Sequence, residues 1–257
     1  MSISIPLARI GPVQKKDIAR SGLEKFDEYG RTCTVWKDGP MSSDIGDITP
    51  QILEDRYGVS WEHWNRQYIV QVRCCPFVCP YCYIDNLSEG EDVSVSEMVQ
   101  WYKNFKGGVL DLNVFHLMGG CPGAYAHRWS ALRKELDRVG FRDTVLLTDV
   151  ILVEHLCYGV KPWLHIPPRT LVMVCIKGTS FANFQANTDR NLFMTAMSEL
   201  SHYVELPDVR FTLIAPNPED VETVEELVGK YRLSVLTVKE YEVVKWRKEQ
   251  RLKGLKR

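Results

Sequence analysis

From Gln67 onward the apolar residues fall into short, β-branched runs separated by stretches with helical spacing. Gln67–Arg73 reads as the first strand. Ser94-Val-Ser-Glu97 has the form of a capping box and opens a helix that closes near Gly107-Gly108. Asn113–Met118 is the second strand, Trp129–Val139 a helix stopped by Gly140, Asp143–Leu147 the third strand and Thr170–Ile176 the fourth. Asn191–Val204 has helical spacing, Val209–Ala215 is the fifth strand, Glu219–Lys230 a further helix and Leu233–Val238 the sixth strand. Strands alternating with helices imply right-handed βαβ crossovers and a parallel sheet. Six such strands are enough for a partial barrel, so the expected fold is α/β, a partial (βα)6 TIM-like barrel preceded by an N-terminal extension. In parallel α/β folds ligands bind beyond the C-terminal ends of the strands, so the residues just past each strand are the place to look for chemistry.

The first 66 residues carry a weaker pattern. Ser2–Ile10 alternates loosely as a strand, and Arg31–Trp36 is expected to pair with it as an edge hairpin. Met41–Asp47 reads as loop, and Thr49 caps a helix over Gln51–Tyr57 with Pro50 in its first turn. Trp61 and Trp64 share a helical face and read as core. Lys245–Arg257 is dense in Lys and Arg with Leu252 and Leu255 interspersed, the pattern of a solvated amphipathic helix that also offers a contact to an acidic partner or RNA. The resulting division is 1–66 as an extension packing on the barrel, 67–243 as the barrel, and 244–257 as a basic helix or tail.

Composition changes this picture little. Of 257 residues 45% are hydrophobic and 25% charged, ordinary for a globular chain with a sizeable core. A net charge of −1 argues against a whole-surface nucleic-acid binder. No apolar run approaches a membrane span and the N-terminus has no signal pattern, so the expected location is the cytoplasm, with no membrane partner. The eight cysteines then read as thiols and cluster ligands rather than disulfides.

The candidate chemistry lies just after the first strand. Cys75, Cys79 and Cys82 are spaced Cys-x3-Cys-x2-Cys, and such a loop can turn three thiolates to one side, as a cubic iron–sulfur cluster requires. No fourth cysteine follows within thirty residues, so a cluster on this triplet keeps one iron open. The competing reading is a non-catalytic zinc-binding interaction protein, with a histidine such as His116 completing the ligand set. Cys74 is out of frame for the triplet and reads as a small apolar residue at the end of a buried strand.

At these residues the chain resembles the radical S-adenosylmethionine (SAM) superfamily, whose signature is Cys-x3-Cys-x-aromatic-Cys; Tyr81 supplies the aromatic. The resemblance implies a 4Fe–4S cluster on Cys75, Cys79 and Cys82 whose open iron chelates SAM. It also implies reductive cleavage of SAM to a 5′-deoxyadenosyl radical that takes hydrogen from a substrate, and an external electron donor such as flavodoxin or ferredoxin. The pattern is similar to that of pyruvate formate-lyase activating enzyme relatives, an oxidoreductase or activase class; the substrate is not legible. The resemblance spans roughly Gln67 to Glu240.

Four further segments extend it. Gly119-Gly120-Cys121-Pro122 resembles the Gly-Gly-Glu-Pro segment that receives the SAM amino group, with Cys121 in place of the acidic residue. Thr148, in Leu147-Thr148-Asp149, matches an Asp-Thr-Asn-Gly-like segment and is expected to bond ribose or carboxylate oxygens, with Asp149 facing substrate. Lys177-Gly178-Thr179 with Thr188 looks like a segment whose lysine sits near the SAM carboxylate; Asp189 stands where a glycine is usual. Ile214 occupies the position that packs on adenine in relatives.

Overall fold

The computed structural model describes residues 3–20, 25–34 except 27, 55–58, 66–107 except 83 and 85–89, 112–214, and 221–236 except 230 and 231, with 244–246 and 249. The Met41–Asp47 loop, the start of the Gln51–Tyr57 helix, Trp61, Trp64 and most of the basic tail lie outside them.

The main sheet has eight strands in the order β10-β9-β8-β7-β6-β4-β3-β2. Its six parallel members are β4 (Arg66–Gln71), β6 (Leu112–Met118), β7 (Val145–Val150), β8 (Thr170–Ile176), β9 (Val209–Ile214) and β10 (Leu233–Leu236). These are the six strands read from the sequence, and the architecture is the mostly parallel α/β sheet expected of a partial TIM-like barrel. The crossovers carry α2 (Val95–Lys106), α3 (Trp129–Arg138), α4 (Glu154–Tyr158), α5 (Phe181–Thr188), α6 (Phe193–Val204) and α7 (Val221–Val228). The capping box at Ser94 forms: its side chain accepts from the Glu97 amide while the Glu97 carboxylate accepts from the Ser94 amide.

Near the N-terminus, β1 (Ser4–Ala8) is followed by α1 (Pro12–Arg20), β2 (Lys25–Phe26) and β3 (Gly30–Thr34). The hairpin expectation is corrected here. β3 pairs antiparallel with β2 and β4 and so extends the main sheet, while β1 pairs antiparallel with β5 (Gly90–Ser94).

Strand alternation gives the parallel sheet two unlike faces. Tyr68, Val70, Val72, Phe115, Leu117, Leu146, Val150, Val172, Val174, Phe211 and Leu213 point to the helices and form one apolar core with Trp129, Leu132 and Tyr203. The other face carries Gln67, Ile69, Gln71, His116, Met118, Asp149, Met173, Cys175, Thr212 and Ile214, residues two apart that share a side across the registers. Toward the C-terminal ends Met118, Asp149, Cys175 and Thr212 are only half-buried, whereas their helix-facing neighbours are fully buried. The inner face therefore opens at the end where the cysteine loop begins.

Candidate functional site

β4 hands the chain straight to the cysteine loop, and the loop is fixed at its root. Val72 donates its amide to Met118 O (2.8 Å), and Arg73 donates to Pro6 O on β1 (2.9 Å). The far end returns to β1 as well, through Ala8 opposite Gly90 and Leu7 opposite Glu91. Between these ends, the Val78 amide donates to Thr188 O (3.1 Å), Arg190 Nε donates to Pro76 O (3.1 Å), and Phe77 packs edge-on against Phe184. Thr188 is thus a structural residue of the loop's seat, its hydroxyl donating to Phe184 O (2.7 Å).

Cys75, Cys79 and Cys82 are free thiols, Cys79 buried and the other two half-buried. Burial pushes the Cys75 thiol up to about 12; Cys79 and Cys82 add to the rise and Lys177 opposes it. Cys74 differs from expectation: it is exposed and holds a left-handed φ of 73°, its thiol facing the Tyr125 hydroxyl, so it caps the loop's outer surface and does not end a buried strand.

The donor set fits an iron–sulfur cluster better than zinc. Three soft sulfurs on one short loop suit iron and sulfide. In a cubic cluster each thiolate takes a different iron, so three ligands on one loop leave the fourth iron open. His116 is also engaged elsewhere, with Nδ1 on Gln67 Oε1 (2.9 Å) and Nε2 on Asp149 Oδ1 (3.4 Å).

Lys177, at the end of β8, points to this loop. Its Nζ lies 5.9 Å from the centre of the Tyr81 ring. Burial lowers its pKa, but Tyr81, Cys79, Cys175 and Cys75 more than offset this, and the net direction is upward. Among the described residues it makes no ion pair, so a cation sits beside the cysteines without a carboxylate. The Tyr81 hydroxyl is buried against Cys79. Asn187 Nδ2 donates to both Lys177 O (2.8 Å) and Ile214 O (3.1 Å), fixing the ends of β8 and β9 side by side and bringing Ile214 to the same mouth. Burial pushes Cys175 up to about 12, with Lys177 opposing and Asp149 reinforcing, which places this thiol between the two charges on the inner face.

Thr148 is not at that mouth. β7 runs on to Val150, so Thr148 and Asp149 lie within the strand and point to opposite faces. Thr148 is fully buried on the helix side with its hydroxyl unpaired; Asp149 takes the inner face.

The Gly119-Gly120-Cys121-Pro122 turn serves the cysteine loop as much as any ligand. Gly119 and Gly120 have φ of 69° and 48°. A Cβ on Gly120 would lie 2.1 Å from Val72 O and 2.7 Å from Cys74 O, so only glycine lets the turn press on the loop's root. Cys121 is fully buried, its thiol directed to Glu154 Oε1 (3.6 Å) and away from the mouth. Glu154, absent from the sequence reading, is fully buried: Oε1 accepts from the Ile151 amide (2.7 Å) and Oε2 from the Val153 amide (3.0 Å). A glutamate at 121 would place two carboxylates in one dry pocket, whereas a thiol fits there as a neutral donor. The available signal was a lone acidic residue in the otherwise apolar run Val150–Val153 and Leu156.

No family model matches the chain, and no curated protein does. Solved structures share the fold. Streptococcus suis SuiB bound to S-adenosylmethionine superposes with a TM-score of 0.50 at 9% identity, over 67% of this chain and 40% of that one. TYW1 with a lysine-pyruvate adduct bound gives a TM-score of 0.50 at 13% identity, over 90% of this chain and 82% of that one. The chain therefore spans well under half the length of SuiB and most of TYW1.

Proposed function

We propose that this chain is a radical SAM enzyme. The observation that carries the reading is the thiol triplet Cys75, Cys79 and Cys82 at the mouth of a parallel half-barrel, faced by an ammonium, Lys177, that has no carboxylate among the described residues. The fold shared with SAM-bound SuiB supports it. A 4Fe–4S cluster with SAM bound supplies reductive cleavage of a carbon–sulfur bond and an organic radical that takes hydrogen from substrate; the activity is of the oxidoreductase or activase kind.

The residues divide the work. The three cysteines hold the cluster, and Tyr81 shields it from water. Lys177 pairs with the SAM carboxylate, a charge-assisted contact in a half-buried site. Backbone carbonyls of the Gly119-Gly120 turn receive the ammonium, and Ile214 packs on the adenine. Asp149, steadied by His116 and Gln67, faces the substrate from the inner wall.

Iron and acid-labile sulfide on anaerobically reconstituted protein test the ligand set. Cys75→Ala, Cys79→Ala and Cys82→Ala should each lose the cluster while Cys74→Ala retains it. Full iron loading in any of the first three would remove that thiol from the ligand set.

A further inference from the structure

The proposed chemistry consumes an electron from outside, and the surface around the cysteine loop shows where one enters. This inference rests on the cluster reading above. The loop meets solvent at Arg73, Cys74 and the half-buried Cys75-Pro76 pair. From Cys74 the surface continues to Tyr125, whose hydroxyl meets the thiol, then to Arg128, whose guanidinium lies 5.4 Å from the Tyr125 ring centre. Arg128 Nε donates to His127 Nε2 (3.2 Å), and His127 in turn feels His165; both histidines are exposed.

On the other side, the Tyr158 phenol, 36% exposed, lies within electrostatic reach of Cys74, Cys75, Cys121 and Cys157. Cys157 is exposed and feels Arg190, which closes the ring by donating to Pro76 O (3.1 Å). The face is therefore a collar of cations, Arg73, Arg128 and Arg190, with two imidazoles and two tyrosine rings set around a stretch where one of the cluster ligands, Cys75, nears solvent. On a chain of net charge −1 such a collar is a local feature and not a general basicity.

We propose that this collar is the docking surface for an acidic one-electron carrier protein. Charge complementarity argues for the partner's sign: opposed potentials steer diffusional encounter and fix orientation without requiring a large interface. Continuity with the loop argues for its role, since a carrier seated here has only Cys74, Pro76 and the tyrosine rings between its redox group and Cys75. In the step itself the reduced carrier loses one electron and the cluster gains one, and no atom is transferred.

Cluster reduction can be followed by visible absorbance in the anaerobically reconstituted protein, with flavodoxin hydroquinone as the probe and dithionite as a reductant that needs no docking. At low ionic strength Arg73→Glu/Arg190→Glu should slow reduction by flavodoxin by roughly ten-fold or more, and salt should slow the wild type and erase the difference. Dithionite should reduce variant and wild type alike. Because both arginines also hold backbone carbonyls of the loop, His127→Glu/His165→Glu, which touches no loop residue, is measured alongside and should slow flavodoxin in the same salt-dependent way. Equal flavodoxin rates in wild type and the histidine variant, or a salt-independent wild-type rate, would overturn the proposal. So would a cluster that dithionite reduces and flavodoxin does not. A wild type that assembles no iron and sulfide would instead remove the cluster reading itself.

Discussion

At the scale of single residues, Lys177 is the most informative side chain. Burial by itself disfavours its ammonium, the surrounding thiols and phenol more than offset this, and among the described residues no carboxylate pairs with it. A charge-assisted hydrogen bond to the SAM carboxylate is worth about 1.5–3 kcal/mol. Lys177→Ala should therefore weaken SAM binding to the reconstituted protein by roughly ten- to a hundred-fold, with iron content unchanged; equilibrium dialysis with labelled SAM measures it. An unaltered affinity would assign the lysine to the thiolates alone. Spacing made the cysteines and Lys177 legible because each belongs to a local pattern. Glu154 and Asn187 were not legible, because their partners lie 33 residues away at Cys121 and 27 residues away at Ile214, and a polar residue in an apolar run does not announce what it will bond. Thr148 was assigned to the mouth because the third strand was read as ending at Leu147. Thr144 was read as strand, but its hydroxyl shares a hydrogen bond with Tyr102 (2.9 Å) and the strand starts after it. With the strand running on to Val150, Thr148 lies inside it and shares the helix-facing parity of Leu146 and Val150.

Among the elements, β1 gains most from the structure. It holds both ends of the cysteine loop at once: Pro6 O takes the Arg73 amide, Leu7 bridges Val72, Ala8 pairs with Gly90, and the Arg128 guanidinium bonds Ser4 O. The approach is close enough that a Cβ on Gly90 would stand 2.1 Å from Leu7 O. Gly90→Ala should accordingly push β1 away, cost about 1–3 kcal/mol in urea unfolding, and leave the protein with less iron after reconstitution. Gly107→Ala, at a helical φ of −59° with its nearest contact at 3.6 Å, is the control and should change neither. Wild-type stability and iron content in Gly90→Ala would show that the clasp does not matter. Periodicity identified Ser2–Ile10 as a strand but paired it wrongly with Arg31–Trp36. Alternation specifies a face, and partner choice between strands more than eighty residues apart depends on the turns and glycines that bring them together. The six parallel strands were easier, because each βαβ unit fixes its own neighbour.

For the molecule as a whole, the buried acids tie ionisation to stability. Glu199 on α6 faces the backbone of Glu154, His155 and Leu156 without closing an ordinary hydrogen bond. Burial first, then the Glu154 charge, raises it from 4.5 to about 7. The fold favours the protonated form, so this group's contribution is fully present below pH 4.5 and is lost as pH rises through 7. Glu199→Gln should melt higher than wild type above pH 7, and the gap should close as pH falls toward 5; a constant difference in Tm across that range would rule out the linkage. No helix among the described residues is long and apolar enough to cross a membrane. The two faces of the sheet have a further consequence. Odd and even positions along each strand answer to different demands: trimming a helix-facing residue such as Val174 or Leu213 opens a cavity in the core, at about 2–5 kcal/mol for the larger side chains. Exchange at the half-buried inner positions Met118, Asp149, Cys175 and Thr212 touches the chamber and leaves that core intact. Under the proposed function, preference for one substrate over another is written on one parity and durability on the other, so a lineage could retool the first without melting the second.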